Sequence, residues 1–163
     1  MVMATKDLSA YDINSVPSAE YMKFGIVVAE WNWGITSALA NGVITTLKKH
    51  GAREENIEVK YVPGAFELPL GGQFFAENGN VDAVILLGCV IRGETSHFDY
   101  INDGVTSGTK DLNLKYNKPF IFGVLTTENE QQALDRAGGR LGNKGDEAAV
   151  TAIKMVNLHW SFK

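Results

Sequence analysis

Four apolar runs, separated by stretches of helical periodicity, divide the chain. The central run, Asp82-Ala83-Val84-Ile85-Leu86-Leu87, is apolar after its first residue. That pattern predicts a strand buried on both faces of a parallel sheet. Residues 23–29 and 119–126 read as the first and fourth strands. Residues 57–62 alternate apolar and polar, which predicts a strand nearer a sheet edge. Between these runs the apolar positions change period. Leu39, Gly42, Val43, Thr46 and Leu47 form the inner stripe of a first helix. His50 suits the negative end of that helix and Gly51 terminates it. Pro69 fits an early position of a second helix, which Asn78-Gly79 closes. A third helix is predicted from about 96 to 116. Thr127 and Glu130 predict a capping box for a short helix ending near Gly138-Gly139. The tract 138–145 reads as a hinge before a last helix from about 146 to 160. The stripe of that helix is Ala148, Ala149, Ala152, Ile153, Val156 and Trp160.

The order βαβαβαβ, then two helices, predicts a three-layer α/β/α sandwich. Right-handed crossovers put helices on both faces of a four-stranded parallel sheet, order 2-1-3-4, a flavodoxin-like α/β fold. A length of 163 residues fits one domain, 1–163, with 1–21 as an N-terminal arm. The arm is polar and mixed, with Pro17. Alone it would be a disordered tail; it could equally pair with a neighbouring subunit's sheet edge. A formal net charge of -4 without a long basic run argues against nucleic acid as a partner. No stretch is long and apolar enough to span a membrane. The first residues lack a charged-then-apolar signal pattern. One cysteine, Cys89, rules out an intrachain disulfide framework, so the expected compartment is the cytoplasm.

Open α/β sheets place ligands at the carboxyl ends of their strands. The central strand runs into Gly93-Glu94-Thr95-Ser96-His97, a polar loop that opens the third helix. Helix N–H groups can hold an anion there, and His97 can move protons near neutral pH. Together they point to an enzyme acting on a phosphorylated substrate. Trp31 can offer a flat face to a planar heterocycle, or equally cap the core edge. Glu67 can accept from sugar hydroxyls, or equally complement a helix dipole. These turns, with Phe122, are expected along one rim, contributed by one subunit or by two. Cys89 fits a small buried hydrophobe better than a nucleophile. Arg136 and Lys144 flank the glycine tract, where surface cations are ordinarily just solvated. His50, His97 and His159 have no ligand spacing, so no metal site is expected. No P-loop or dinucleotide fingerprint occurs.

Three stretches strongly resemble the lumazine synthase family. They are Val90-Ile91-Arg92-Gly93-Glu94-Thr95-Ser96-His97-Phe98-Asp99-Tyr100, Val62-Pro63-Gly64-Ala65-Phe66-Glu67-Leu68-Pro69 and Gly142-Asn143-Lys144-Gly145. The likeness runs from about Phe24 to Phe162. It implies condensation of 5-amino-6-(D-ribitylamino)uracil with 3,4-dihydroxy-2-butanone 4-phosphate, giving 6,7-dimethyl-8-ribityllumazine without metal or organic cofactor. By the same resemblance Trp31 stacks on the uracil. Ala65, Phe66 and Glu67 hold the ribityl chain and the pocket wall. Cys89, Val90 and Ile91 present backbone to the pyrimidine. Glu94 and Thr95 cradle the phosphate through backbone N–H groups, and His97 carries protons. Phe122, Arg136 and Lys144 come from the adjacent subunit, with Arg136 on phosphate. The resemblance further implies a homo-oligomer of pentamers and, because the tract 138–145 has the short form, a sixty-subunit shell of twelve pentamers. Riboflavin synthase is a further partner it suggests. Two other readings use the same sheet rim: an archaeal-type riboflavin synthase and a non-catalytic flavin-binding shell protein.

Overall fold

A computed structural model describes residues 7–163. Its centre is a parallel sheet of β1 (Phe24–Ala29), β2 (Ile57–Val62), β3 (Ala83–Ile91) and β4 (Phe120–Thr127), ordered β2-β1-β3-β4. Every residue of β1 is buried, as are the first seven of β3. The apolar runs of β1 and β3 therefore occupy the centre, where both faces are covered, and the apolar run of β4 lies at an edge beside β3. The alternating β2 lies at the other edge.

Two apolar layers cover the sheet, and the strands feed them with a period of two. Phe24, Ile26 and Val28 point into the layer shared with Leu39, Val43 and Leu47 of α1 (Trp33–Lys49) and Ala149, Ala152 and Ile153 of α5 (Lys144–Trp160). Val27 and Ala29 point into the other, with Leu68 and Phe75 of α2 (Leu68–Asn78) and Val105 and Leu112 of α3 (His97–Tyr116). Gly25 matters to the second layer: a Cβ there would lie 2.8 Å from Phe75 Cδ1. The expected three-layer fold and strand order are present.

Three local expectations are corrected. The short helix α4 (Glu130–Arg136) is capped by Asn129, whose side chain accepts from Gln132 N at 2.9 Å. Thr127 instead donates its hydroxyl to the Asn129 carbonyl at 2.9 Å. The tract read as a hinge is a small antiparallel hairpin of β5 (Ala137–Gly139) and β6 (Gly142–Asn143), with Gly138 and Gly142 at φ of 96° and 80°. Positive φ at both glycines lets the chain reverse without steric cost. α5 consequently starts at Lys144, because the Asn143 side chain accepts from Gly145 N at 2.7 Å.

The arm is not a free tail from Asp7 onward. Leu8 N donates to Leu141 O at 2.7 Å, and Asn143 N to Ser9 Oγ at 2.9 Å. The Tyr11 hydroxyl lies 2.7 Å from His50 Nε2, and Ala19 N donates to His50 O at 2.8 Å. The arm thus straps the hairpin and the end of α1 of its own chain. Burial, then the neighbouring Lys49 charge, lowers the His50 pKa. Residues 1–6 of the expected arm lie outside the described residues.

Candidate active site

At the carboxyl ends of β1, β2 and β3 lies a cleft of about 500 Å³. Trp31, Asn32, Ala65, Phe66, Glu67, Cys89, Val90, Ile91, His97 and Ile101 line it. A second cleft, of about 490 Å³, runs along β2 beside Phe74 and Phe75. None of the residues expected to carry chemistry lines that one, so the strand-end cleft is the candidate site.

Its first wall is the β1–α1 turn. Glu30 N donates to Val62 O at 2.8 Å and Trp31 N to Pro63 O at 3.0 Å, extending the pairing with β2 beyond the strands. Asn32 then takes left-handed backbone, φ 59° and ψ 44°, which reverses the chain into α1. Asparagine tolerates that region better than most residues. Its Nδ2 donates to Cys89 O at 3.0 Å, fastening the turn to the end of β3. Trp31 is left 67% exposed. Its ring lies over Gly64, where a Cβ would stand 2.5 Å from Trp31 Cε3. Gly64 is therefore required for the indole to sit this close to the β2–α2 turn.

That turn forms the second wall. Glu67 Oε2 accepts from Gly64 N at 3.1 Å, which fixes the carboxylate close to the indole. Phe66 is 57% exposed and rests on α3, where a Cβ at Gly104 would lie 2.9 Å from its ring. The floor is the end of β3. Burial, followed by the charge of Glu130, pushes the Cys89 thiol up to about 11. At neutral pH it is an uncharged thiol and a poor nucleophile.

The third wall carries the loop between β3 and α3. Among the described residues, the backbone N–H groups of Gly93, Glu94, Thr95 and Ser96 donate to no protein acceptor. They precede a twenty-residue helix whose N-cap Ser96 makes no side-chain cap bond. Consecutive amides at a helix start suit an anion. His97 is exposed, lines the cleft, and donates its own backbone N–H to Thr95 Oγ1 at 3.3 Å.

Glu94 and Thr95 stand in this loop, exposed, next to the cleft rather than in its wall. Phe122 departs from the expected rim. It is the third residue of β4 and pairs with Leu86, because the strand has only just begun at Phe120. Arg136 ends α4 and donates from Nη1 to Gln132 O at 2.9 Å. Lys144 opens α5 and pairs with Glu147. None of the three lines this chain's cleft. The sequence places the turn Trp31-Asn32 on the rim but assigns Asn32 no role, and it does not point to Ile101. An asparagine in a strand-to-helix turn was a usable signal for the first. The second follows from its place four residues after His97 on one helix face. Among the described residues no group of three His, Cys, Asp or Glu side chains could hold a metal ion.

The chain's similarity to known proteins points the same way. The family model described as 6,7-dimethyl-8-ribityllumazine synthase matches residues 21–159. A protein of that name from Parabacteroides distasonis is 62% identical over 158 residues, 97% of this chain and 99% of the relative. Another, from Phocaeicola vulgatus, is 58% identical over 97% of this chain and 94% of its own length. A third, from Bacteroides fragilis, is 59% identical over 86% of this chain and 98% of its own. Matches this extensive leave one assignment: the chain belongs to the 6,7-dimethyl-8-ribityllumazine synthase family.

Proposed function

We propose that this chain is a transferase of riboflavin biosynthesis. It condenses 5-amino-6-(D-ribitylamino)uracil with 3,4-dihydroxy-2-butanone 4-phosphate to give 6,7-dimethyl-8-ribityllumazine. The observation that carries this reading is one cleft holding an open indole face, an anchored carboxylate and a histidine beside four unengaged amides. Trp31 stacks on the pyrimidine. Glu67, with Ala65 and Phe66, receives the ribityl hydroxyls. Cys89, Val90 and Ile91 offer backbone to the ring. The Cys89 carbonyl already accepts from Asn32 but keeps a second lone pair.

The 5-amino nitrogen forms a bond to the ketone carbon, and water leaves to give an imine. Removal of a proton from the adjacent carbon then lets the bond to the phosphate oxygen break. His97 takes that proton, while the amides of Glu94 and Thr95 receive the negative charge of the departing phosphate. Loss of phosphate leaves an enol; its terminal carbon takes up a proton while the hydroxyl gives one up, so the hydroxyl-bearing carbon becomes a new ketone. The ribityl-bearing nitrogen closes the ring on that new carbonyl carbon, and a second water leaves. Amines and ketones condense readily, so orientation in the cleft supplies most of the acceleration. General acid–base help from His97 adds to it. The test is to mix the two substrates with the protein and follow lumazine and inorganic phosphate together. Absence of both products, or riboflavin formed from the lumazine alone, would overturn the reading.

Phe122, Arg136 and Lys144 complete the site of an adjacent subunit in this proposal, with Arg136 on the phosphate. Their position off the chain's own cleft supports it. The assembly is a pentamer, with twelve pentamers forming a shell that can take riboflavin synthase as partner. The short form of the tract 138–145 supports the shell in this reading, as it lacks the insertion that the resemblance associates with assemblies that stop at pentamers. We assign the protein to the cytoplasm, on its single cysteine.

A further inference from the structure

We infer that Arg92 is a positioning residue, a brace that sets the anion loop and His97 in one geometry. This rests on the site proposed above. Arg92 is the first residue beyond β3, and its backbone N–H continues the sheet by donating to Thr127 O at 2.9 Å. Its guanidinium reaches three ways. Nε donates to Glu128 Oε2 at 2.7 Å, in the turn after β4. Nη2 donates to Asp99 Oδ1 at 3.4 Å, in the first turn of α3. The guanidinium carbon stands 4.2 Å from the centre of the Phe98 ring. One planar group therefore joins the end of β3, the end of β4 and the start of α3.

The loop it braces has little packing of its own. A Cβ at Gly93 would meet nothing within 4 Å. Its internal bonds are Thr95 Oγ1 accepting from His97 N, and Ser96 O accepting from Asp99 N and Tyr100 N. These lie at its helical end. At the other end Arg92 is what holds the loop to neighbouring elements. The side chain is 38% exposed, and exposed ion pairs contribute little to stability. Its value is geometric: a fork that bonds two carboxylates while stacking on a ring fixes both distance and angle. Lysine, a single point charge, cannot do all three.

The experiment compares Arg92→Ala, Arg92→Lys and Glu128→Gln with the unaltered protein, with thermal unfolding recorded for each. In Arg92→Ala, kcat/KM for the butanone phosphate should fall roughly 10- to 100-fold, through both kcat and KM. The KM for the uracil should stay within about twofold. Arg92→Lys should not restore activity, and Glu128→Gln should shift the same parameters by less. Glu128→Gln also carries the test should Arg92→Ala fail to fold. Unchanged parameters, an equal rise in both KM values, or full rescue by lysine would overturn the inference. Inorganic phosphate binding, titrated by phosphorus NMR, gives a readout independent of turnover. If the unaltered protein makes no lumazine, the proposed reaction fails. Weaker phosphate binding by Arg92→Ala would still uphold the brace, and unchanged binding would sink it.

Discussion

His97 lines the cleft and opens a helix beside four amides that, among the described residues, donate to no protein acceptor. His97→Ala should slow turnover by about 100-fold without abolishing it, since the walls still orient the reactants. Single-turnover kinetics at saturating substrate are the check, and an undiminished chemical step would contradict the proton-carrying role. Arg136→Ala should raise the KM for the butanone phosphate far more than that for the uracil, because only the former carries a dianion. Equal effects on both substrates would remove Arg136 from the phosphate. Cys89 makes a different kind of statement. Its thiol pKa in the fold, about 11, stands above the ordinary value of 9.0. Its contribution to stability is therefore fully present below pH 9.0 and is lost as pH rises towards 11. At pH 8 iodoacetamide should label it far more slowly in the native protein than in urea. Equal rates would mean that the end of β3 is open to solvent.

The helices α1 and α5 share a face of the sheet, and one asparagine ties the start of α5 to the second turn of α1. Asn143 caps α5 through Gly145 N, and its Nδ2 donates to Ala38 O of α1 at 3.0 Å. Asn143→Ala should cost about 1–3 kcal/mol, a lost cap plus a lost bond at a half-buried site. A urea titration with an unchanged midpoint would show that water replaces both bonds. The strands need no comparable device, since β1 and β3 are held by burial on two faces. Their apolar runs were readable for that reason. The β5–β6 hairpin was not, because its few residues carry glycines that a hinge would also carry.

At the scale of the whole molecule, four of the exposed apolar residues lie together. Leu114, at 77% exposure, and Phe162, at 81%, border a groove with Met155 and Leu158 between α3 and α5. Contiguous exposed apolar surface of this kind marks contact sites. Together with three expected site residues that miss the chain's own cleft, it fits the proposed assembly. Sedimentation at low micromolar protein should show a shell-sized particle; a dominant species of about ten subunits or fewer would refute the shell. An active monomer would refute the shared site as well.

The strands, and the one that ends in the anion loop, could be read from periodicity, and their parallel order from the right-handed crossover rule. Burial on two faces, on one face or at an edge imposes a different apolar pattern on each strand. The residue types at the strand ends, Trp31, Glu67 and His97, were likewise legible, since topology alone sends those ends to one rim. Which side chains fasten the rim was not. Asn32 meets Cys89 across 57 positions, Asn143 meets Ala38 across 105, and Asn143 N meets Ser9 across 134. Arg92 meets Glu128 across 36. Periodicity is a local record of burial and carries no information on which distant polar groups are brought within 3 Å. That depends on the angles at which helices pack and turns reverse, which exist only once the sheet has formed. The same holds for the arm, whose polar sequence reads as a tail until the hairpin and α1 offer it partners.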